Sequence, residues 1–258
     1  MQYGSKKFAF FGAVVDIHYP TDNEESFESI LARYGDLAEY ERGLSRLLYR
    51  NIRRDELFLD IGAQIGLFSV LASLQGARVV SFEMRTSLVL AHYMTCRTNG
   101  FRDWLPLNMA VDSVAGVIPY NDNAQFALTD GNLNARTATN TVLACALDEI
   151  PRFLLGGACG CVKMDIEGFE VRALRGMRHY IAQSRPFTFI ECHPHPAHLY
   201  GTSIAEIPEL FPGNYDFFIV EDHRNGQGAR LAKVDQVSHV AENFLLVCSP
   251  QERRVEGL

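Results

Sequence analysis

Two hydrophobic rhythms alternate along the chain. Short apolar runs that stop at an acid or a glycine are followed by stretches in which apolar residues recur every three or four positions. Leu57-Phe58-Leu59-Asp60-Ile61 is the first such run, closed by Gly62, Ala63 and Gly66; Leu67, Phe68, Val70, Leu71 and Leu74 then mark one face of a helix that Gly76 ends. Arg78 to Phe82 reads as the next strand and stops at Glu83, residues 86–98 as a helix, and Trp104 to Leu107 as a third strand. Cys161 to Met164 runs into Asp165, Phe169 to Ile181 is helical, and Pro186 to Ile190 runs into Glu191. Asp216–Val220 and Phe244–Val247 are the closing strands, with Gly226 and Gly228 marking a turn between them. Strands alternating with helices of about 10–15 residues make βαβ units, so the fold class is α/β with a parallel sheet.

The remaining segments are less regular. Residues 1–20 read as one or two strands closing at Pro20. Residues 24–50 read as helical, because Leu37, Tyr40, Leu44, Leu47 and Leu48 share one side at helical spacing. Residues 112–142 lack any helical period and carry Gly116, Pro119 and a Thr/Asn-rich stretch, which predicts a hairpin and a long loop. The longest apolar run, Phe8 to Val15, is far short of the roughly 20 residues that a membrane-spanning helix needs. No small-residue cleavage site follows it, so it reads as a strand and not as a secretion signal.

Composition narrows the classes. With 24 basic and 31 acidic side chains among 258 residues the formal charge is −7, the wrong sign for a general nucleic-acid binder. Six scattered cysteines in a chain of this size fit reduced thiols and a cytoplasmic location better than a disulfide scaffold.

The chemistry begins at Asp60-Ile61-Gly62-Ala63-Gln64-Ile65-Gly66, where a strand ends in an acid and a Gly-x-x-x-Gly turn opens a helix. Gly62 permits close backbone approach, and the turn offers free N–H groups to an anionic or polar ligand. Glu83, 23 residues after Asp60 at the end of the next strand, stands where a carboxylate accepts ribose hydroxyls. The spacing is not that of a dinucleotide fingerprint, and neither a P-loop nor a hydrolase nucleophile elbow is present.

Phe58 to Ser69 resembles motif I of class I S-adenosylmethionine-dependent methyltransferases, and more narrowly the FkbM family. Val162-Lys163-Met164-Asp165-Ile166-Glu167-Gly168-Phe169-Glu170-Val171 with Leu174-Arg175-Gly176 closely resembles that family's Lys-Ile-Asp-Val-Glu-Gly-x-Glu block and its continuation. Arg185-Pro186, Glu191-Cys192-His193 and Leu147-Asp148-Glu149 resemble its flanking segments, so the likeness spans about residues 40–250. One departure lies in the turn, where Gln64 replaces the family's usual Asn with the same amide chemistry.

The resemblance implies a Rossmann-like, seven-stranded, mostly parallel sheet with helices on both faces and S-adenosylmethionine as cofactor. It divides the chain into a strand-and-helix extension at 1–54 packing on the core, a cofactor-binding methyltransferase domain at 55–250 and a tail at 251–258. Carried over by position, Asp60, Gly62, Ala63, Gln64, Gly66 and Phe68 face the methionine end. Glu83 with Met84 takes the ribose, Asn108, Met109 and Ala110 border the adenine, and Asp165 stands at the reactive end. Asp112 is a lesser adenine-side candidate and reads more simply as a turn cap.

Methyl transfer to oxygen requires an alcohol held in line with the methyl group and a base for its proton. Asp165 or His193 is the candidate base, with Glu191 orienting the imidazole or the acceptor. Glu167 and Glu170 lie in the first turn of a helix, where carboxylates are also stabilised for structural reasons. Three histidines crowd residues 193–198, but no zinc-finger pairing exists and Pro194 and Pro196 suggest an extended segment. A divalent cation held by Asp165, Glu191 and His193 is a minor alternative. The expected activity is O-methylation of a hydroxyl on a sugar or natural-product intermediate, with a small-molecule partner, no membrane, and nucleic acid disfavoured. A nucleic-acid methyltransferase and a non-catalytic adenosine-ligand module are the alternatives.

Overall fold

The computed structural model describes residues 2–21, 27, 32–121, 138–150, 159–221, 223–224, 230–237 and 242–256. Its centre is a sheet of strands β3 (Leu57–Ile61), β4 (Arg78–Phe82), β5 (Trp104–Leu107), β9 (Cys159–Met164), β10 (Phe187–Cys192), β11 (Tyr215–Val220), β12 (Leu231–Val234) and β13 (Phe244–Pro250). The spatial order is β12-β11-β13-β10-β9-β3-β4-β5. The five strands from β10 to β5 pair in parallel, while β13, β11 and β12 close the other edge antiparallel. The sheet thus has eight strands where seven were expected, the extra one being the short edge strand β12, whose four residues carry too little pattern to stand out. The turn expected at Gly226 and Gly228 lies outside the described residues.

Alternate residues of the central strands feed two separate cores. Phe58, Val79, Cys161, Phe187 and Val247 face one, with α1 (Arg42–Asn51), α2 (Leu67–Leu74) and α3 (Thr86–Asn99) packed on them. Leu59, Val80, Val162, Ile190 and Leu246 face the other, covered by α4 (Glu170–Arg175), α5 (Arg178–Ser184) and a 3-10 segment at Ile204–Leu210. Helices on both faces of a mostly parallel sheet are the architecture the sequence rhythm demanded.

The hairpin of β1 (Tyr3–Phe10) and β2 (Ala13–Pro20) lies on α3, where Thr95 Oγ1 accepts from His18 N at 3.0 Å and Asn99 exchanges two bonds with the Asp16 backbone. A three-stranded sheet of β6 (Met109–Val111), β8 (Asn140–Cys145) and β7 (Gly116–Tyr120), in that order, is the described part of the expected hairpin region. Residues 122–137, the expected long loop, lie outside the described residues.

Three expected elements are corrected. Of the helix read over 24–50, Phe27 is helical with its neighbours outside the described residues, and the next described α-helix begins at Arg42, after a 3-10 turn at Leu37–Glu39 that Asp36 caps. Glu41 at φ 42° breaks the path, so Tyr40 and Leu44 share an apolar side without sharing a helix. The helix read over 169–181 splits into α4 and α5 at Gly176, where the Asp112 carbonyl approaches so closely that a Cβ would lie 2.0 Å from it. The segment after His193, expected to be extended, is helix α6 (Pro194–Leu199). Proline suits the first position of a helix, which needs no N–H there.

Candidate active site

The carboxyl ends of β3, β4, β9 and β10 meet at one edge of the sheet, where open α/β folds hold ligands. β3 runs into the turn Gly62–Gly66. Gly62 sits at φ 78°, and a Cβ there would come within 1.9 Å of the Asp165 carbonyl oxygen, so the turn is pressed against the end of β9. Gly62 N and Ala63 N both donate to Phe82 O. Gly66 backs onto the rings of Trp104 and His92, which a Cβ would meet at 2.8 and 3.0 Å.

Gln64 adopts φ 52° without the freedom of glycine, and both of its backbone groups are pinned. Its N–H donates to Glu83 Oε2 at 2.9 Å, and its carbonyl oxygen accepts from His92 Nε2 at 2.6 Å. Burial pushes the His92 imidazole down to about 4, so it is neutral and donates from Nε2. Ser81 Oγ stands 3.4 Å from His92 Nδ1 and accepts from Trp104 Nε1 at 2.8 Å, completing a buried chain from the indole to the turn.

A cavity of about 380 Å³ opens over this turn. Gly62, Ala63, Gln64 and Phe68 line it from the turn and α2, and Glu83 and Met84 from the end of β4. Met109 and Ala110 line it from β6, and Asp165, Glu191 and His193 close its far end. Three expected residues lie behind the wall instead. Asp60 is fully buried, accepting from Ser69 Oγ at 2.6 Å. Gly66 serves helix packing. Asn108 donates to the carbonyl oxygens of Glu83 and Met84 at 3.0 and 2.9 Å, so it shapes the β4 end. Asp112 is held by Arg172 through Oδ1 and Oδ2 at 2.8 and 2.6 Å, tying α4 to the end of β6.

The residues fit an adenosine ligand. Glu83 gives one oxygen to Gln64 N and the other to Arg85 N, each at 2.9 Å, and a carboxylate has lone pairs left for two further donors. Met84, Met109, Ala110 and Ile118 provide the apolar lining beside it that a flat base needs.

The far end is built from charge. His193, 2% exposed, donates from Nδ1 to Glu170 Oε1 at 2.9 Å, and its Nε2 faces Glu167 at 3.4 Å and Asp165 at 3.8 Å. Burial opposes the charge on this imidazole, but Glu170, Glu167 and Asp165 outweigh it and raise it to about 9. Lys163 donates to Gly62 O at 3.0 Å and lies 3.6 Å from Asp165. Burial raises the Asp165 carboxyl above its usual range, with Lys163 working against it and Glu191 adding to it. Burial would also raise Glu191, yet His223 at 3.8 Å and Arg224 at 2.5 Å bring it down to about 2. Asp165, Glu167 and His193 place ligand atoms within 4.8 Å of one another, so Glu167, not the expected Glu191, joins the set that could surround a cation.

Four residues that line the cavity escaped the sequence reading as site residues: Tyr40, Glu41, Lys163 and Arg224. Lys163 lay in view within the β9 motif. Tyr40 and Glu41 read as the middle of an amphipathic helix, and Arg224 stands alone in a connection, without local signal.

Residues 60–226 match the family model described as Methyltransferase FkbM domain. The crystal structure of Methyltransferase FkbM from Methylobacillus flagellatus KT is 17% identical at a TM-score of 0.50, covering 75% of this chain and 43% of that one. The chain therefore spans less than half of that structure's length. The 16S rRNA N2 G1207 methyltransferase (RsmC) of T. Thermophilus, in complex with AdoMet and guanosine, is 16% identical at a TM-score of 0.45, covering 96% of this chain and 51% of that one. The precorrin-6y C5,15-methyltransferase from Geobacter metallireducens GS-15 is 9% identical at 0.42, covering 81% and 88%. No curated protein matches the chain.

Proposed function

Because the chain belongs to the FkbM family of S-adenosylmethionine-dependent methyltransferases, we propose that it methylates a hydroxyl group, carried by a sugar or a natural-product intermediate. The observation that carries this reading is a single cavity with Glu83 and the Gly62–Gln64 turn at one end and Asp165 beside His193 at the other. When bound, S-adenosylmethionine supplies an electrophilic methyl group on a sulfonium. In this reading Gly62, Ala63, Gln64 and Phe68 hold the methionine end, Glu83 accepts the ribose hydroxyls, and Met84, Met109 and Ala110 flank the adenine.

Asp165 takes the proton that the acceptor hydroxyl gives up as its oxygen gains the methyl. Burial raises this carboxyl, which improves it as a base, and its side chain keeps 26% exposure. His193 holds its own proton at neutral pH, which suits it to fixing Glu167 and Asp165 in place more than to abstracting a proton. Glu191, ionised beside Arg224, orients the acceptor through a second hydroxyl. Carboxylates are acceptors only, so a wall of them favours a ligand rich in O–H donors.

A second reading follows from the three ligand atoms within 4.8 Å: a divalent cation at Asp165, Glu167 and His193 binding the acceptor oxygen. The test is transfer from methyl-labelled cofactor to a panel of glycosides and hydroxylated natural products, with and without chelator. Label recovered as an ether methyl, lost in Asp165→Asn, supports the proposal, and loss on chelation moves it to the cation form. Label on nitrogen or carbon, or on RNA with a steep salt dependence, overturns the acceptor assignment.

A further inference from the structure

Glu41 is a carboxylate in the cavity wall that the mechanism above does not use. It comes from the start of α1, outside the matched residues 60–226, and reaches the site because its own left-handed backbone, φ 42° and ψ 54°, turns the chain between the 3-10 segment and the helix. Its Oε2 is sealed from solvent and has no hydrogen-bond partner among the described residues. An ionised oxygen left that way is costly unless something arrives to pair with it.

The cations nearby are already engaged. Lys163 is bound to Gly62 O and lies beside Asp165, and Arg224 is bound to Glu191. Burial, then Glu191 and Asp165, push the Glu41 carboxyl up to about 7, while Lys163 and Arg224 pull it down. Glu41 therefore faces an excess of negative charge that a cationic ligand group would relieve. Its place along the cavity indicates which group. Its neighbour Tyr40 packs its ring 6.4 Å from Phe68, and Lys163 Nζ lies 5.4 Å over that same Phe68 ring while bonded to the glycine turn. The residue next to Glu41 thus stands against the start of α2, and Lys163, whose charge acts on Glu41, reaches from there to the glycine turn.

We propose that Glu41 is the binding residue for the α-ammonium of the cofactor's methionine portion, delivered to the site by the segment that precedes the methyltransferase domain. This rests on the cavity being the cofactor site. Glu41 then discriminates the intact amino-acid-bearing cofactor from its adenosine fragments, and the ordered 40–41 turn is part of the binding site.

The experiment is calorimetric titration at pH 8 of wild type, Glu41→Gln and Glu41→Ala with two ligands. S-adenosylhomocysteine carries the ammonium, and 5′-methylthioadenosine lacks the amino-acid portion altogether. The expected result is a loss of about tenfold or more for S-adenosylhomocysteine in both variants, with 5′-methylthioadenosine unchanged within about twofold. In ligand-free protein at pH 8, Glu41→Gln should raise the melting temperature, because it removes a buried unpaired charge. An equal loss for both ligands, with a lower melting temperature, would make Glu41 a structural support. Unchanged affinity for both would move it to the acceptor side. Either result overturns the assignment. Failure of wild type to bind S-adenosylhomocysteine would instead remove the cofactor reading itself, a distinguishable outcome.

Discussion

Two histidines, one behind the glycine turn and one at the far end of the cavity, are driven in opposite directions. His92, behind the glycine turn, is pushed down to about 4 because nothing charged offsets its burial strongly enough, and it works as a neutral donor to Gln64 O. His193, at the far end, is raised to about 9 because three carboxylates overcome the same burial. The contrast extends to everything around them. The turn end is fixed by backbone geometry: Gly62 against Asp165, Gln64 between Glu83 and His92, Gly66 against Trp104. The far end is fixed by mutual ion pairing among side chains from separate elements. An enzyme that binds a constant cofactor and a particular acceptor needs both styles, one insensitive to charge and one tuned by it.

The comparison is broken most severely at Gly62. A Cβ there would overlap the Asp165 carbonyl at 1.9 Å on a backbone at φ 78°, and the strand end that would have to move carries the far end too. Gly62→Ala should therefore abolish calorimetrically detectable S-adenosylhomocysteine binding and lower the melting temperature. Asp165→Asn separates the two ends: turnover should fall by roughly 10²–10⁴-fold, the range for loss of a general base, with cofactor-product affinity held within about tenfold. Equal losses in both would mean that Asp165 binds cofactor rather than taking a proton. Glu83→Ala does the reverse. It removes the proposed ribose contacts and leaves Gln64 N–H unpaired, so affinity should fall about a hundredfold, on the order of 2–3 kcal/mol. A change under threefold would place the ribose elsewhere.

The same division explains what could be read from the sequence. The turn end is local: Asp60 to Glu83 spans two strands and one helix, and its glycines, strand ends and acid recur at fixed distances. Such spacing is visible in a single chain because each residue's job is set by its neighbours. The sheet was legible for the same reason, down to the acids that end β4, β9 and β10. The reading failed where function depends on what stands opposite. The sequence places Asp60 at the methionine end, and the fold buries its carboxylate behind the cavity wall, on Ser69 Oγ and 3.9 Å from Lys163. Gly176 splits a regular apolar period because the Asp112 backbone lies against it, 64 positions earlier in the chain. Glu41, Arg224 and the Glu167–His193 contact arise from segments that only the fold brings together, and nothing in their local sequence announces it.

The gentlest test uses pH and leaves the cavity shape alone. His92 has its folded value below its ordinary 6.5, so its contribution to stability is complete above 6.5 and is lost as pH falls towards about 4. His193 has its folded value above 6.5, so its contribution is complete below 6.5 and is lost as pH rises towards about 9. Subtracting the melting curve of His92→Phe from that of wild type should leave a difference that grows between pH 4 and 6.5 and is flat above. The same subtraction for His193→Gln should be flat below 6.5 and shrink towards pH 9, each sloping by a few degrees, the order expected for about 1–2 kcal/mol in a chain of this size. Glu170→Gln should weaken the second slope and leave the first untouched, since among the described residues Glu170 makes its hydrogen bonds to His193 and Gly168. Slopes of the same sign would mean that one electrostatic environment governs the whole cavity, and the division between a turn fixed by backbone and an end fixed by charge would have to be abandoned.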